Sequence, residues 1–295
     1  MHIGILSARS PKTYPNRRLV QAAFMLGHSA AVVHPKTWFS EIRRGSLRVK
    51  APGRTAAVEV ILPRIGATIK DSALTLLRQF ELSGIPVVNG TRAIGLARNK
   101  FAALQALSEQ GIRVPYTYFV SNVHTFRKAV KLLGGYPVVI KTPHSRQGTG
   151  VALVDSQRTG EFFFEHIPAE TTGMLVQEYL PPDHRHDIRA FVIGGRVVAA
   201  IVLRPRKGDF RANLHLRGSG APVKLDKKMS ALAVRTAEAM TLEISGVDII
   251  VQEDGSAKVI EANYSPGFRG LEAISKQDIA AEIVRHIAGR YGSAL

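Results

Sequence analysis

The chain has 295 residues, 45% of them hydrophobic, with 40 Lys and Arg, 23 Asp and Glu, and no Cys. This length suits two or three compact units rather than one core, and the lack of Cys excludes disulfides and thiolate metal sites and fits a cytoplasmic protein. No run approaches 18 uncharged apolar residues, so no membrane-spanning helix is expected; the net charge of +17 favours polyanionic partners, with simple solubilisation as the plain alternative.

The first 60 residues concentrate that charge, with ten Lys and Arg against Glu41 and Glu59 alone. Strand-like and amphipathic helical runs alternate from the start, which predicts an α/β (α+β) protein. His2–Ser7 reads as a strand that follows no charged leader, so a secretory signal is not expected. Asn16–Leu26 reads as a helix stopped by Gly27, Val58–Leu62 as a strand running into Pro63-Arg64, Leu74–Leu82 as a helix and Ile85–Val88 as a short buried strand. A second unit starts near Arg98: helix Lys100–Gln110, strand Tyr116–Val120, helix Val123–Leu133, then strands Val138–Lys141 and Val151–Val154. A third starts near Leu175, with strands Leu175–Glu178, Ile188–Ile193 and Arg196–Leu203, helix Lys227–Met240, and strands Val247–Val251 and Lys258–Asn263. The expected units are 1–97, 98–175 and 176–295.

Four groups of residues carry chemistry. Lys141 closes an apolar strand and is followed by a loop containing Gln147, Gly148 and Gly150. Glycines there allow backbone N–H groups to approach phosphate oxygens, although an ordinary hairpin turn has the same composition. Gln177-Glu178-Tyr179-Leu180 precedes two prolines and offers an extended hinge to a base edge, or else is merely a strand end. Asp187 and Arg189 share a strand face, and Arg204, Arg206, Lys207, Arg211 and Asn213 follow in a basic stretch. Such arginines clamp phosphates or carboxylates, or simply form a solvated loop; His215 has no partner at metal-ligand spacing. The most specific group is Asp248 with Glu261 and Asn263, carboxylates inside apolar strands and an amide on the same face. Two carboxylates at roughly 4 Å repel by about 4 kcal/mol at an effective dielectric of 20, a penalty that a hard divalent cation removes. Lys258 alone is near enough to compensate them, and strict alternation puts it on the opposite face from Glu261.

In this order the groups resemble the ATP-grasp superfamily and, within it, the RimK-type glutamate ligases, which extend the C-terminus of ribosomal protein S-six. The resemblance covers nearly the whole chain, including Leu77-Arg78-Gln79-Phe80-Glu81, Gln177-Glu178-Tyr179, Asp187-Ile188-Arg189, Gly208-Asp209-Phe210-Arg211, Gly246-Val247-Asp248-Ile249 and Asn263-Tyr264-Ser265-Pro266-Gly267. It implies an N-terminal pre-ATP-grasp domain followed by two subdomains that clamp ATP. Lys100 and Lys141 would meet the phosphates, with Gln147, Gly148 and Gly150 beside them, and Glu178 and Tyr179 would hold base and ribose. Asp187 and the Arg211-Ala212-Asn213 loop would also touch the nucleotide, and Asp248, Glu261 and Asn263 would hold magnesium or manganese as a pair of ions. Arg189 and Arg211 would act on the transferred phosphoryl group. The implied reaction joins L-glutamate to an acceptor carboxylate through an acyl phosphate.

The sequence departs from the family pattern at His144-Ser145-Arg146 and in the strongly basic Leu203-Arg204-Pro205-Arg206-Lys207. An acidic acceptor such as a ribosomal protein tail suits that charge, with Arg64, Arg204, Arg206 and Lys207 as its candidate contacts. A carrier protein, a pterin or a deazaflavin cofactor are alternative acceptors, and a non-catalytic ribosome- or RNA-binding protein is the alternative from another class. Ribosome association and a homo-oligomer are further expectations.

Overall fold

A computed structural model of the chain describes residues 1–50, 58–66, 71–144, 150–166, 173–204, 210 and 219–292. In chain order the N-terminal part forms β1 (His2–Leu6), α1 (Tyr14–Met25), β2 (Ser29–Val33), β3 (Phe39–Arg43), β4 (Ser46–Lys50), β5 (Val60–Pro63), α2 (Asp71–Leu82) and α3 (Thr91–Arg98). The strands β1, β2 and β5 form a parallel sheet in the order β2-β1-β5. Ile3, Ile5 and Leu6 are all buried, as a continuous apolar run in a parallel sheet requires. Gly27, just past α1, adopts φ +76°, the left-handed conformation that ends a helix at low cost. Sequence periodicity missed β2, the β3–β4 hairpin and α3. It also promoted Ile85–Val88 to a strand, whereas Val87 makes only a single bridge to Ile61.

The middle of the chain forms α4 (Lys100–Glu109), β6 (Thr117–Val120), α5 (Val123–Leu132), β7 (Val138–Lys141), β8 (Val151–Val154), α6 (Gln157–His166) and β9 (Met174–Glu178). Asn99 caps α4 by accepting from the amides of Phe101 and Ala102, and Asn122 caps α5 from Thr125. Here the expected organisation is corrected: β9 does not open a third unit but lies between β6 and β7 in an antiparallel sheet ordered β6-β9-β7-β8.

The remainder comprises β10 (Arg185–Ile193), β11 (Arg196–Arg204), β12 (Ser219–Pro222), α7 (Lys227–Ala239), β13 (Ile244–Gln252), β14 (Ala257–Asn263), α8 (Arg269–Ser275) and α9 (Ile279–Tyr291). Its antiparallel sheet runs β12-β11-β10-β13-β14. One face, with Ile188, Ala190, Val192, Val247, Ile249 and Val259, is buried in a core shared with α4 and α7. On the other face β10 changes character along its length. Phe191 and Ile193 join a core with Ile3, Ile5 and Leu19, and Ile283 and Val284 of α9 complete it. Arg185, Asp187 and Arg189, on the same face by alternation, are polar. Asn89 fixes the N-terminal part to this sheet: its amide donates to the carbonyls of Ile244 (2.7 Å) and Tyr264 (2.8 Å) and accepts from the Ile244 amide (2.9 Å).

Candidate active site

The polar end of β10 faces the sheet that carries β7 and β9. Cross-strand register puts Arg189 opposite Asp248, Asp248 opposite Glu261, and Gly246 opposite Asn263. Directly paired residues share a face, so the three metal candidates come together as expected. Arg189, however, is already engaged: Nε donates to Asp248 Oδ1 (2.7 Å) and Nη2 to Oδ2 (2.6 Å), a bidentate pair. Asp248 holds the Arg189 guanidinium far above the usual arginine range, against the opposing effect of burial.

The register between β13 and β14 slips at Asp248/Ile249, because Glu261 pairs with Asp248 while Val259 pairs with Ile249, leaving Ile260 as the extra residue of a bulge. The slip returns Lys258, opposite Ile250, to the same face as Glu261, so the expectation that Lys258 faces away is overturned. Its Nζ reaches Glu178 Oε1 at 2.5 Å and lies 5.1 Å from the Tyr116 ring centre, joining the two sheets at the hinge end. Glu178 Oε1 also accepts from the Tyr116 amide at 2.7 Å.

At the other end of the cleft Lys100 Nζ lies 3.4 Å from Glu261 Oε1. Burial alone would raise the Glu261 carboxyl, but Lys100, Arg189 and Lys141 together hold it below the usual range. Lys141 is lowered to about 8, first by burial and then by the charge of Lys100, with Glu261 opposing and Arg185 adding a little. Its Nζ donates to Gln177 Oε1 at 2.5 Å, and the Gln177 amide donates to Thr117 Oγ1 at 2.8 Å. Gln177 is buried, a polar side chain with both ends satisfied that orients the lysine.

Asp187 is buried and its carboxyl raised by that burial, though Arg185 pulls the other way. Arg185 donates to the Leu180 carbonyl, to Asp187 Oδ2 (3.1 Å) and to the Phe210 carbonyl (2.6 Å), tying the hinge to the sheet. Sequence reasoning overlooked Arg185, although its period-2 relation to Asp187 and Arg189 was visible. The Tyr179 ring meets Phe210 edge-on at 6.1 Å. Gly150 adopts φ +71°, and its carbonyl accepts from the Thr142 amide at 2.9 Å. Two acceptor candidates lie apart from this cluster. Arg204 follows Leu203, the partner of Asp187, so alternation sends it, exposed, to the opposite face of the sheet. Arg64 lies beyond β5, where it is clamped on the Pro266 carbonyl. Gln147, Gly148, Arg206, Lys207, Arg211, Ala212 and Asn213 lie outside the described residues, as does His215.

The family model for the RimK-like ATP-grasp domain matches residues 97–287, and that for the RimK pre-ATP-grasp domain matches residues 1–94. The chain belongs to the RimK family of ATP-grasp ligases. Among its relatives, a probable alpha-L-glutamate ligase of Syntrophotalea carbinolica is 38% identical, covering 97% of this chain and 95% of its own. A protein of the same description from Methanococcoides burtonii is 36% identical over 99% and 97%. Solved structures share the fold. A RimK domain ATP-grasp protein of Sphaerobacter thermophilus has a TM-score of 0.74 at 24% identity, covering 97% of this chain and 99% of its own. The ATP-grasp ligase PsnB, complexed with minimal precursor, Mg and ADP, has 0.74 at 18% identity, covering 98% of both chains.

As a RimK-type ligase the protein uses ATP with a divalent metal, and its donor set fits that ion. Among the described residues no cluster of three or more His, Cys, Asp or Glu exists. The set is instead two carboxylates and an amide oxygen, the hard-oxygen chemistry of magnesium or manganese. Both carboxylates already sit against cations, Arg189 and Lys100, which shows that this face is built around compensated negative charge. Among the described residues no helix is long and apolar enough to cross a membrane.

Proposed function

We propose that the protein adds L-glutamate to the C-terminal carboxylate of an acidic acceptor, a ribosomal protein tail being the best match, through an acyl phosphate. The observation that carries the reading is the convergence of Lys100, Lys141, Arg189, Asp248 and Glu261 between two sheets, with Glu178 at the far end of the same cleft. Lys141 and Glu178 lie at opposite ends of the β7–β9 ladder, three residues apart in register, or about 10 Å. That separation suits a nucleotide held by its base at Glu178 and Tyr179 and by its phosphates at Lys100 and Lys141.

A divalent ion held by Asp248, Glu261 and Asn263 would neutralise phosphate charge. Arg189, positioned by Asp248, would present its remaining N–H groups to the transferred phosphoryl group. Gln147, Gly148, Gly150 and the Arg211-Ala212-Asn213 loop complete the nucleotide contacts in this reading. No protein nucleophile is needed: the acceptor carboxylate attacks the terminal phosphorus and expels ADP, then the amine of glutamate attacks the resulting acyl carbon, losing a proton as phosphate leaves. Catalysis therefore rests on positioning and charge neutralisation. The +17 charge supports an acidic acceptor, with Arg206 and Lys207 as contacts.

Incubation of candidate acceptors with the protein, ATP, magnesium and glutamate, followed by mass spectrometry, tests the reading. Mass steps of one glutamyl residue on an acidic protein tail are expected. Steps on a pterin, deazaflavin or carrier protein would replace the acceptor, and ATP consumption indifferent to glutamate would overturn the reaction. Substituting manganese for magnesium in the same assay ranks the two ions.

A further inference from the structure

Outside the cleft, a second charged feature has no carboxylate partner among the described residues. In the sheet β2-β1-β5 the chain leaves β1 to form β2 on one side and then returns to place β5 on the other. The boundary between β1 and β5 is thus a topological switch point, and ligands of open α/β sheets bind beyond the carboxyl ends of strands at such points. Two arginines stand there. Arg9 follows β1 by three residues and is exposed; Arg64 directly follows β5, with its amide donating to the Leu6 carbonyl at 2.8 Å. The Arg64 side chain is half-buried: Nη2 donates to the Pro266 carbonyl at 2.8 Å, and the guanidinium lies 5.4 Å from the Phe268 ring centre.

Among the described residues neither arginine pairs with a carboxylate, whereas Arg18, Arg185, Arg189 and Arg196 each do. Arg64 Nε is buried and has no acceptor among the described residues. Burial, with the charge of Arg9 added, pushes Arg64 down to about 10. A half-buried cation beside a like charge, with no acid against it among the described residues, is costly unless an anion completes the group.

The segment that clamps Arg64 continues from β14, which carries Glu261 and Asn263. Gly246, opposite Asn263, lets residue 266 lie directly on β13, since a Cβ there would come within 2.8 Å of Pro266 Cβ. Pro266 follows Asn263 by three residues, at most about 11 Å of chain. Arg64, clamped on the Pro266 carbonyl, is thereby tied to the segment that leaves the candidate metal ligand Asn263.

We infer that the crevice between Arg9 and Arg64 binds a carboxylate of the incoming amino acid, an assignment that rests on the ligase reading above. The incoming amino acid forms its C–N bond through the amine, the acyl carbon–phosphate oxygen bond breaks, the amine proton is released, and its own carboxylates survive unchanged. A fixed cation can hold them from binding to product. The acceptor carboxylate, by contrast, loses its charge when it becomes an acyl phosphate. Clamped on Pro266 and Phe268, Arg64 meets a small molecule entering the crevice rather than reaching out to capture a peptide tail.

The test is steady-state kinetics of the intact protein and of Arg9→Gln and Arg64→Lys, varying glutamate, acceptor and ATP in turn. For Arg9→Gln a rise in glutamate KM of tenfold or more is expected, with acceptor and ATP KM within twofold. Arg64→Lys, which keeps the charge but loses the fork, should show a smaller rise in glutamate KM. A rise confined to acceptor KM, or an unchanged glutamate KM in both variants, overturns the assignment. Glutamate-dependent turnover by the unaltered protein separately checks the ligase reading. If that turnover is absent, calorimetric titration of L-glutamate judges the crevice: binding weakened in Arg9→Gln supports it, and equal or absent binding overturns it.

Discussion

The two halves of one strand face, Arg185–Asp187–Arg189 and Phe191–Ile193 of β10, differ in what covers them. The apolar half is sealed by β1, α1 and α9, where side chains contribute by packing. The polar half faces the cleft below β7 and β9, where burial is offset by ion pairs and hydrogen bonds. A single sheet thus anchors the N-terminal part with one end and carries the candidate site on the other. Substitutions in the two halves should fail in different ways.

The largest effect on turnover is expected for Glu261→Gln. Removing a candidate metal ligand should lower kcat by about 10²–10³-fold, while thermal unfolding and circular dichroism stay near those of the parent. The mirror case is Phe191→Ala, which opens a cavity among Ile3, Ile5 and Phe268. It should cost about 3–5 kcal/mol of stability in denaturant titrations yet leave the rate per folded molecule nearly unchanged.

How far the sequence displayed this division depends on the interactions involved. Period-2 alternation exposed Asp187 and Arg189, and apolar strands exposed Asp248 and Glu261 as costly residues needing a reason. These are local signals. The face of Lys258 was misread because one bulge residue, Ile260, inverts alternation, and bulges leave no compositional trace in Lys258-Val259-Ile260-Glu261. Likewise β9 looked like the start of a new unit, since pairing with β6 and β7 is set by contacts some 35 to 60 residues away in the chain. Arg64 was marked by its place at a strand end, but nothing in the sequence showed the Pro266 carbonyl that fixes it.

A smaller effect concerns protons. Lys141, lowered to about 8, loses its charge progressively as pH rises through 8 in the free protein. Phosphates beside it favour the ammonium form and raise that value, so nucleotide binding at pH 8.5 should take up a measurable fraction of a proton, and almost none at pH 6.5. Calorimetry of ADP with magnesium, in buffers of different ionisation enthalpy, reads this uptake. Lys141→Met should abolish it and weaken nucleotide binding. The smallest effect is expected at the hinge: Lys258→Met should raise the ATP KM about two- to fivefold, the scale of roughly 0.5–1 kcal/mol for a half-buried pair.

The most direct measurement compares ATP turnover by Glu261→Gln and Phe191→Ala, with glutamate and acceptor present, at a temperature where circular dichroism shows both folded. The account predicts near-parental turnover per folded molecule for Phe191→Ala and a loss of at least about 10²-fold for Glu261→Gln. Equal turnover in the two folded variants would contradict the assignment of the polar half of this sheet as the catalytic centre.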